Sequence, residues 1–489
     1  MSPGLDHRRQ PGDVAGILCV HDPREGGGVS ATYSEFLAGK RRVVSDAGRV
    51  VDPGSLHPSL FGFQRDLTLW ALRKARAAIF ADTGLGKTRM QVEWARLTGE
   101  RALILAPLAV AQQTIREAAE MGIEVVYARH QDEAADGITI TNYERLERFD
   151  PAAFGAVVLD ESSILKAFSG ATKKLLVEMF AATPWRLCCT ATPAPNDIEE
   201  LCNHADFLGW MKPSEMRSTF FIADSRGEFM RYRLKRHARE AFYRWLASWA
   251  MAVRLPSDLG YEDGAFVLPG LQVAPHFVKA EYRPEGRLFA TELHGVTEQA
   301  TVRRATMDAR VARAVALVAA EPLEPWLIWC GLNDESSALT AGIPGAVEVR
   351  GSDHPDDKAE RLLDFAEGRS QVLVTKVDIA GFGLNFQRCA RMAFVGLGYS
   401  FESYYQAIRR CYRFGQQRPV VAHVVLSEIE RGIFDTIILK ERQAAELSGG
   451  LLAEVRDYER AELFAGTTSA DTYEPREALA LPAWMERAS

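Results

Sequence analysis

Short apolar runs alternate with longer amphipathic stretches from about residue 60 onward. The first group of runs covers residues 77–80, 102–107, 138–141, 156–160 and 186–192. Strands that are buried on both faces of a parallel sheet have nearly continuous apolar sequences, and the stretches between these runs have helical length. The alternation therefore predicts βαβ units and one parallel sheet covered by helices.

A second group of apolar runs follows a long interruption. These runs cover residues 326–330, 346–350, 371–375, 392–396 and 420–426. Between residues 203 and 254 the sequence is rich in aromatic and basic residues, and its pattern predicts helices without strands. The predicted fold class is thus α/β, with two parallel-sheet domains separated by a helical insertion.

These patterns give provisional domain boundaries. The segments are an N-terminal extension (1–55), a first α/β domain (56–202), a helical insertion or linker (203–270), a second α/β domain (271–460) and a tail (461–489). The extension is rich in Gly, Pro and Arg, with a candidate strand at residues 16–20. The tail loses periodicity, which is typical of loosely ordered chain ends.

Composition narrows the class of protein. With 489 residues, 47% hydrophobic and 25% charged, the chain has an ordinary globular composition. It contains no apolar stretch of the ~20 residues that a membrane span needs, and its N-terminus lacks the apolar core of a signal peptide. We therefore expect a cytoplasmic protein with no membrane partner. Its seven cysteines form no C-x-x-C pair, which argues against a zinc site or a disulfide framework.

The formal net charge of −7 gives no overall signature of nucleic-acid binding. Any basic surface must therefore be local. Residues 231–244, RYRLKRHAREAFYR, are one candidate for contacts with nucleic-acid phosphates. The same run is equally typical of a solvated basic helix face.

Residues 81–88, ADTGLGKT, lie between a predicted strand and a predicted helix. Glycines at such a junction let backbone N–H groups approach phosphates, Lys87 can reach the β and γ phosphates, and Thr88 can bind Mg²⁺. The loop residues expected to contact the nucleotide are Asp82, Thr83, Gly84, Leu85, Gly86, Lys87 and Thr88. The first position is Ala81 rather than the usual glycine.

Residues 156–166, AVVLDESSILK, place two carboxylates at the end of a strand. Taken alone, this sequence is an ordinary junction between a strand and a helix, in which Asp or Ser serves as a cap. A phosphate loop, however, needs an acidic strand end to complete its Mg²⁺ site. We therefore predict that Asp160 binds the metal and that Glu161 polarises the attacking water as a general base.

Residues 406–420, QAIRRCYRFGQQRPV, are very similar to the Gln-Ala-x-x-Arg-x-x-Arg-x-Gly-Gln signature of Swi/Snf-type proteins. Together with the preceding motifs, in order from about residue 60 to 445, the chain resembles a superfamily-two helicase motor, and most closely the Swi/Snf-type branch of double-stranded DNA translocases. The resemblance implies two tandem RecA-like domains and a C-terminal brace helix. It makes Arg410 and Arg413 arginine fingers and places Gln406 in the same interface.

Further segments carry the same resemblance. FGFQRD (61–66) is similar to the adenine-reading motif, which would place Gln64 on the base edge, with Phe61 or Phe63 packing beside it. IAGFGLNF (379–386) resembles the motif facing both nucleotide and nucleic acid, and it contains Gly383. Residues 103–110 and 141–144 resemble backbone-contact motifs, and TATPAPND (190–197) resembles the segment that couples nucleotide state to the nucleic-acid path. DESS departs from the more usual Asp-Glu-Ala-His of the family.

The predicted function is a DNA-dependent ATPase that uses ATP and Mg²⁺ to translocate on, or remodel, double-stranded DNA. Three alternatives share the same motifs: a strand-separating helicase, an RNA-directed ATPase and a nucleotide-gated scaffold without motor activity. No targeting module is recognisable in the sequence, so a protein partner for targeting is expected.

Overall fold

The computed structural model describes residues 44, 46–166, 170–194, 197–224, 231–279, 296–380, 385–398 and 400–464. The strand predicted at residues 16–20 and the chain after residue 464 lie outside this range.

The sheet of the first domain has seven strands. They are β1 (Arg76–Ala81), β2 (Ala102–Ala106), β3 (Val125–Tyr127), β4 (Ile138–Asn142), β5 (Ala156–Asp160), β6 (Trp185–Cys189) and β9 (Ala250–Val253). Their order is β3-β4-β2-β5-β6-β1-β9, and every pairing is parallel. Along β1, Ala78 and Phe80 pack into one core while Ile79 packs into another, so both faces of the sheet are buried.

The sheet of the second domain has six strands. They are β10 (Leu271–Val278), β11 (Trp326–Cys330), β12 (Ala346–Val349), β13 (Val372–Thr375), β14 (Arg391–Val395) and β15 (Val420–Ser427). Their order is β10-β15-β14-β11-β13-β12, again with parallel pairings throughout. All ten runs that the sequence predicts as strands are strands here, and the tandem RecA-like α/β fold is confirmed.

Helices connect and cover the two sheets. In the first domain and the insertion they are α1 (Gly62–Lys74), α2 (Lys87–Thr98), α3 (Leu108–Glu120), α4 (Ala171–Met179), α5 (Leu201–Leu208), α6 (Pro213–Phe220) and α7 (Arg239–Ala247). In the second domain they are α8 (Val296–Ala305), α9 (Met307–Ala320), α10 (Asn333–Gly342), α11 (Pro355–Glu367), α12 (Val377–Ala380), α13 (Phe401–Ile408) and α14 (Arg431–Phe464). Among the described helices, none is long and apolar enough to cross a membrane.

The expectation that residues 203–254 contain no strands is wrong. An antiparallel pair, β7 (Phe221–Asp224) and β8 (Arg231–Leu234), follows α6. Strand β9 also lies in this range; it pairs with β1 and forms the edge of the first sheet. Its sequence AMAV directly follows the aromatic helix α7, and periodicity alone cannot distinguish so short an apolar run from a continuing buried helix.

Helix α14 joins the two domains. It has 34 residues and is about 50 Å long at the helical rise per residue. Ile433 and Ile437 pack into the core of the second domain, whereas Leu452 and Val455 pack into a core of the first. The helix continues past residue 460, where the sequence predicts a tail, because Leu463 is also buried against the first domain.

Glu459 is a buried acid on this helix, and its Oε1 accepts a hydrogen bond from the Ala252 backbone N–H at 2.6 Å. Burial, and to a smaller extent the charge of Asp258, raises the pKa of Glu459 to about 8, although Arg456 opposes this shift. The folded protein therefore retains a proton that the unfolded chain releases above a pKa of 4.5. This carboxyl contributes stability that is complete at low pH and is lost as the pH rises towards about 8.

We expect Glu459→Gln to raise the melting temperature more at pH 8 than at pH 5, because glutamine keeps the acceptor and cannot ionise. Thermal unfolding at both pH values measures the difference. The matched control is Glu446→Gln, which changes an exposed residue of the same helix. An equal shift at the two pH values would contradict a raised pKa for Glu459.

Candidate functional site

The loop between β1 and α2, which the sequence predicts to be a phosphate loop, contains two glycines in a left-handed backbone conformation. Gly84 and Gly86 have φ values of 89° and 78°, in the left-handed region that favours glycine. A Cβ on Gly84 would lie 2.8 Å from the Phe414 backbone nitrogen, and one on Gly86 would lie 2.3 Å from Gln64 Nε2. Both positions thus require glycine, and the loop runs directly into the N-terminus of α2, where backbone N–H groups favour anions.

Lys87 begins α2, and its ammonium group bends back onto the loop. Lys87 Nζ donates to the carbonyl oxygens of Ala81 at 2.9 Å and Asp82 at 3.3 Å. Thr88 follows it, partly buried. Within the loop, the Thr83 N–H donates to Asp82 Oδ1 at 2.6 Å. The Lys87 ammonium group is therefore held against the loop, beside the two glycines that would let phosphates approach the backbone.

The two predicted acids lie at the end of β5. Asp160 Oδ1 accepts hydrogen bonds from Gln91 Nε2 at 2.8 Å and from the Glu161 N–H at 3.1 Å. Glu161 has a φ of 53°, an unusual conformation for a residue other than glycine and one that is concentrated at functional sites. Thr190 Oγ1 donates to Glu161 Oε2 at 3.4 Å, which joins the acid to the 190–197 segment.

The charges of Lys87 and Arg410 act on the pKa values of the two acids, and the acids act on the pKa of Arg410. Burial raises the pKa of both Asp160 and Glu161, whereas the positive charges of Lys87 and Arg410 lower it. Burial also lowers the pKa of Arg410 to about 10, and the two acids oppose that shift. Because Arg410 belongs to the second domain, the site is composed of residues from both domains.

The other two predicted residues of the arginine segment have different surroundings. Arg413 Nη1 donates to Asn385 Oδ1. Burial lowers the pKa of Arg413, and the charge of Glu117 in the first domain opposes this shift. Gln406 is buried, and its Oε1 has no hydrogen-bond partner among the described residues. A buried side-chain oxygen without a hydrogen-bond partner can bind a water molecule or a ligand.

Four contacts between the domains were not foreseen. The Tyr405 hydroxyl donates to Asp82 Oδ1 at 2.6 Å, and Arg409 Nη2 forms an ion pair with Asp82 Oδ2 at 3.1 Å. Glu402 accepts a hydrogen bond from Ser163 and forms an ion pair with Lys166. The signal available in the sequence was the i and i+3 spacing of residues 402 and 405, which places them on one face of α13, with Arg409 directly after the helix end.

Gln64 has a structural role. Its Oε1 accepts from the Phe61 N–H at 3.0 Å, and its Nε2 donates to the Leu85 carbonyl oxygen at 2.9 Å. Both ends of the amide therefore bind the chain itself and fix the phosphate loop against α1. Contact between Gln64 and a nucleotide base stays a prediction.

An aromatic cluster lies beside this glutamine. The rings of Phe61 and Phe266 are 5.1 Å apart, and Phe266 lies 4.7 Å from Phe414, which comes from the second domain. Phe61 is 48% exposed, so one ring of the cluster has a free face on which a base can stack. Sequence reasoning identified Phe61 but not its partners, which are far away along the chain.

A cavity of about 170 Å³ connects three predicted segments. Asp82 of the phosphate loop, Thr192 of the 190–197 segment and Arg409 of the 406–420 segment all line it. Pro195 and Asn196 of that segment lie outside the described residues, as does Gly383 of the 379–386 motif.

In two of the segments predicted to contact nucleic acid, several side chains bond within the protein instead. Tyr143, in the 141–144 motif, donates its hydroxyl to the Asp160 carbonyl oxygen at 2.7 Å, so this motif supports the acidic loop. In the basic run, Arg239 pairs with Glu454 and Arg244 pairs with Glu240. Lys235 Nζ donates to backbone carbonyls. For these three residues, the contacts within the protein favour a solvated basic surface over contacts with nucleic-acid phosphates.

The residues present fit a nucleotide with Mg²⁺. Mg²⁺ in phosphate-transfer sites is bound by one or two protein oxygen ligands together with substrate phosphates and water. The Thr88 hydroxyl and the Asp160 carboxylate, at the two loops of the first domain, supply that kind of donor. Among the described residues there is no group of three or more His, Cys, Asp or Glu side chains that would form a metal site by itself.

Fold and site together define a chain of two RecA-like domains with a phosphate loop on one domain and arginines on the other. Residues 332–415, within the second domain, match the family model of the helicase conserved C-terminal domain. A search of curated proteins gave no match. Among solved structures, one match is the Sulfolobus solfataricus SWI2/SNF2 ATPase core in complex with dsDNA. It is 18% identical, with a TM-score of 0.40, and the match covers 85% of this chain and 99% of that chain.

Proposed function

We propose that the protein is a nucleic-acid-dependent ATPase that couples ATP hydrolysis to translocation on, or remodelling of, double-stranded DNA. The observation that carries the ATPase assignment is that the segment before Arg410 bonds both to Asp82 of the loop holding Lys87 and to Ser163, two residues after Glu161. Phosphoryl transfer is catalysed mainly by positioning and by stabilising charge, and Lys87, the two acids and Arg410 supply both.

Each residue has one role in this proposal. Lys87 binds the β and γ phosphates, and Thr88 and Asp160 bind Mg²⁺, which neutralises charge on the phosphates. Glu161 accepts a proton from the attacking water. Arg410 stabilises the negative charge that spreads over the transferred phosphoryl group.

Because the proposed site is divided between the two domains, ATP hydrolysis would be coupled to movement of one domain relative to the other. Hydrolysis requires Arg410 of the second domain to meet a nucleotide held by the first, so each cycle would close and reopen the interface. If each domain binds the nucleic-acid backbone with an affinity that changes during the cycle, closure and opening move the protein along DNA. The preference for duplex DNA rests on the sequence resemblance of residues 406–420 and of the following helix to Swi/Snf-type proteins.

The direct test is steady-state ATP hydrolysis with single-stranded DNA, duplex DNA or RNA added in parallel. Stimulation by duplex DNA, together with displacement of a triplex-forming strand, supports the proposal. Unwinding of a duplex without triplex displacement would favour a strand-separating helicase, and stimulation by RNA alone would favour an RNA-directed ATPase. ATP binding without stimulated turnover would favour a nucleotide-gated scaffold.

Lys87→Ala is expected to abolish detectable ATP binding or turnover, because it removes the cation that the loop holds beside its phosphate-binding glycines. ATP binding can be followed by fluorescence of a labelled nucleotide and turnover by phosphate release. The control is Lys174→Ala, since the Lys174 side chain is 78% exposed on a surface helix of the same domain. Turnover in Lys87→Ala equal to that of the control would contradict the phosphate-loop assignment.

A further inference from the structure

Helix α13 of the second domain contacts two different loops of the first domain with one face. Tyr405 in the helix and Arg409 directly after its C-terminus bind Asp82 of the phosphate loop. The N-terminal part of the helix, through Glu402, binds the acidic loop. The same segment carries Arg410, so the position of the arginine depends on how both ends of the helix are held.

The Glu402 contact is specific and largely buried. Ser163 Oγ donates to Glu402 Oε1 at 2.9 Å, while Lys166 Nζ forms an ion pair with Glu402 Oε2. The Glu402 side chain is 19% exposed, and Ser163 is 3% exposed. A hydrogen bond between a hydroxyl and a carboxylate in such surroundings is stronger than one between neutral partners.

The partners of Glu402 follow the catalytic acid directly in sequence. Ser163 and Lys166 belong to one 3₁₀ helix, Ser162–Lys166, which begins at the residue after Glu161. The neighbouring Ser162 points elsewhere, because its Oγ lies 3.1 Å from His204 Nε2 inside the first domain. One serine therefore fixes the acidic loop to its own domain, and the other fixes it to the second domain.

We propose that Glu402 is a positioning residue for ATP hydrolysis, which holds the acidic loop of the first domain at a fixed distance from the arginine-bearing segment of the second. This inference rests on the proposed function. Glu402 acts through Ser163 and Lys166 on the placement of Glu161 relative to Arg410. Displacement of catalytic groups by about 1 Å can cost roughly 100-fold in rate, so a contact of this kind can control turnover without touching the nucleotide.

The experiment measures kcat and KM for ATP, with saturating duplex DNA, in Glu402→Ala, Ser163→Ala and the double variant. We expect each single variant to lower kcat roughly tenfold and to leave KM nearly unchanged, because Lys87 and the phosphate loop are not altered. The double variant should lose little more than Glu402→Ala, since Glu402→Ala already removes the hydrogen bond that Ser163→Ala removes. Glu402→Gln should retain more activity than Glu402→Ala, because its amide oxygen can still accept from Ser163.

The control is Glu360→Ala, which removes an exposed carboxylate from α11 of the same domain. Equal kcat in Glu402→Ala and this control would overturn the inference. Losses that add fully in the double variant, or a rise in KM that accounts for the whole effect, would also overturn it, because a general structural defect gives those results. If Glu402→Ala does not fold, normal kcat in Ser163→Ala overturns the inference by itself.

The failure of this inference can be distinguished from failure of the proposed function. If wild-type protein shows no stimulated hydrolysis, the proposed function fails before any variant is compared. If wild type hydrolyses ATP and the Glu402 and Ser163 variants match it, only the positioning role fails.

Discussion

Arg410→Ala is expected to lower the kcat for ATP hydrolysis by roughly 10³-fold, the lower end of the range for arginine fingers. Arg410 is 8% exposed, and its charge acts on both Asp160 and Glu161. Its removal takes away the guanidinium group that the second domain brings to the acids. ATP binding should change little, because Lys87 and the glycine loop remain.

The comparison with Arg413 makes this prediction specific. Arg413 donates to Asn385 and lies near Glu117, so its surroundings differ from those of Arg410. We therefore expect Arg413→Ala to bind ATP nearly normally and to hydrolyse it poorly, but to retain more activity than Arg410→Ala. Arg418→Ala serves as the control, because Arg418 is 44% exposed and pairs with Glu324 on the surface.

Arg410→Lys separates charge from geometry. Lysine retains the positive charge but lacks the planar group that can bind two oxygens at once. A kcat close to that of Arg410→Ala would show that the planar geometry is required. Normal turnover in Arg410→Ala itself would mean that the two domains do not share one catalytic site.

The sequence predicts those strands whose apolar runs are separated from other apolar segments. The runs at residues 156–160 and 326–330 end at polar or turn-forming residues, so their boundaries are visible without the structure. Strand β9 was missed because its four residues follow a buried aromatic helix, and β10 was missed because none of its eight positions is fully buried. Both failures occur where burial is decided by tertiary packing.

The residues of the candidate site also divide into those that a local sequence pattern predicts and those that depend on tertiary contacts. Lys87 and Asp160 could be predicted because strand, loop and helix junctions place them at the same edge of the sheet. The pairing of Ser163 with Glu402 could not, since 239 residues separate the two partners and Glu402 lies in no motif that the sequence analysis identified. Contacts between distant surface positions depend on how the domains meet, and a single sequence does not contain that information in a local pattern.

Glu161→Gln is expected to bind ATP as wild type does and to lose roughly 10²- to 10⁴-fold in the rate of hydrolysis, the usual contribution of a general base. Glutamine has nearly the same shape as glutamate and can still accept the hydrogen bond from Thr190, so the unusual backbone at φ 53° should be retained. What it cannot do is accept a proton from water. Single-turnover hydrolysis of bound ATP measures this step without interference from product release.

The neighbouring acid provides the contrast that identifies the base. Asp160→Asn removes the charge predicted to bind Mg²⁺, so it should raise the Mg²⁺ concentration needed for turnover, whereas Glu161→Gln should leave that requirement unchanged. Glu178→Gln is the control, because its carboxylate is 65% exposed on the surface of the same domain. If Glu161→Gln hydrolyses ATP as fast as this control, Glu161 is not the base. If instead it shifts the Mg²⁺ requirement as Asp160→Asn does, the two acids share the metal, and the water must be activated by another group.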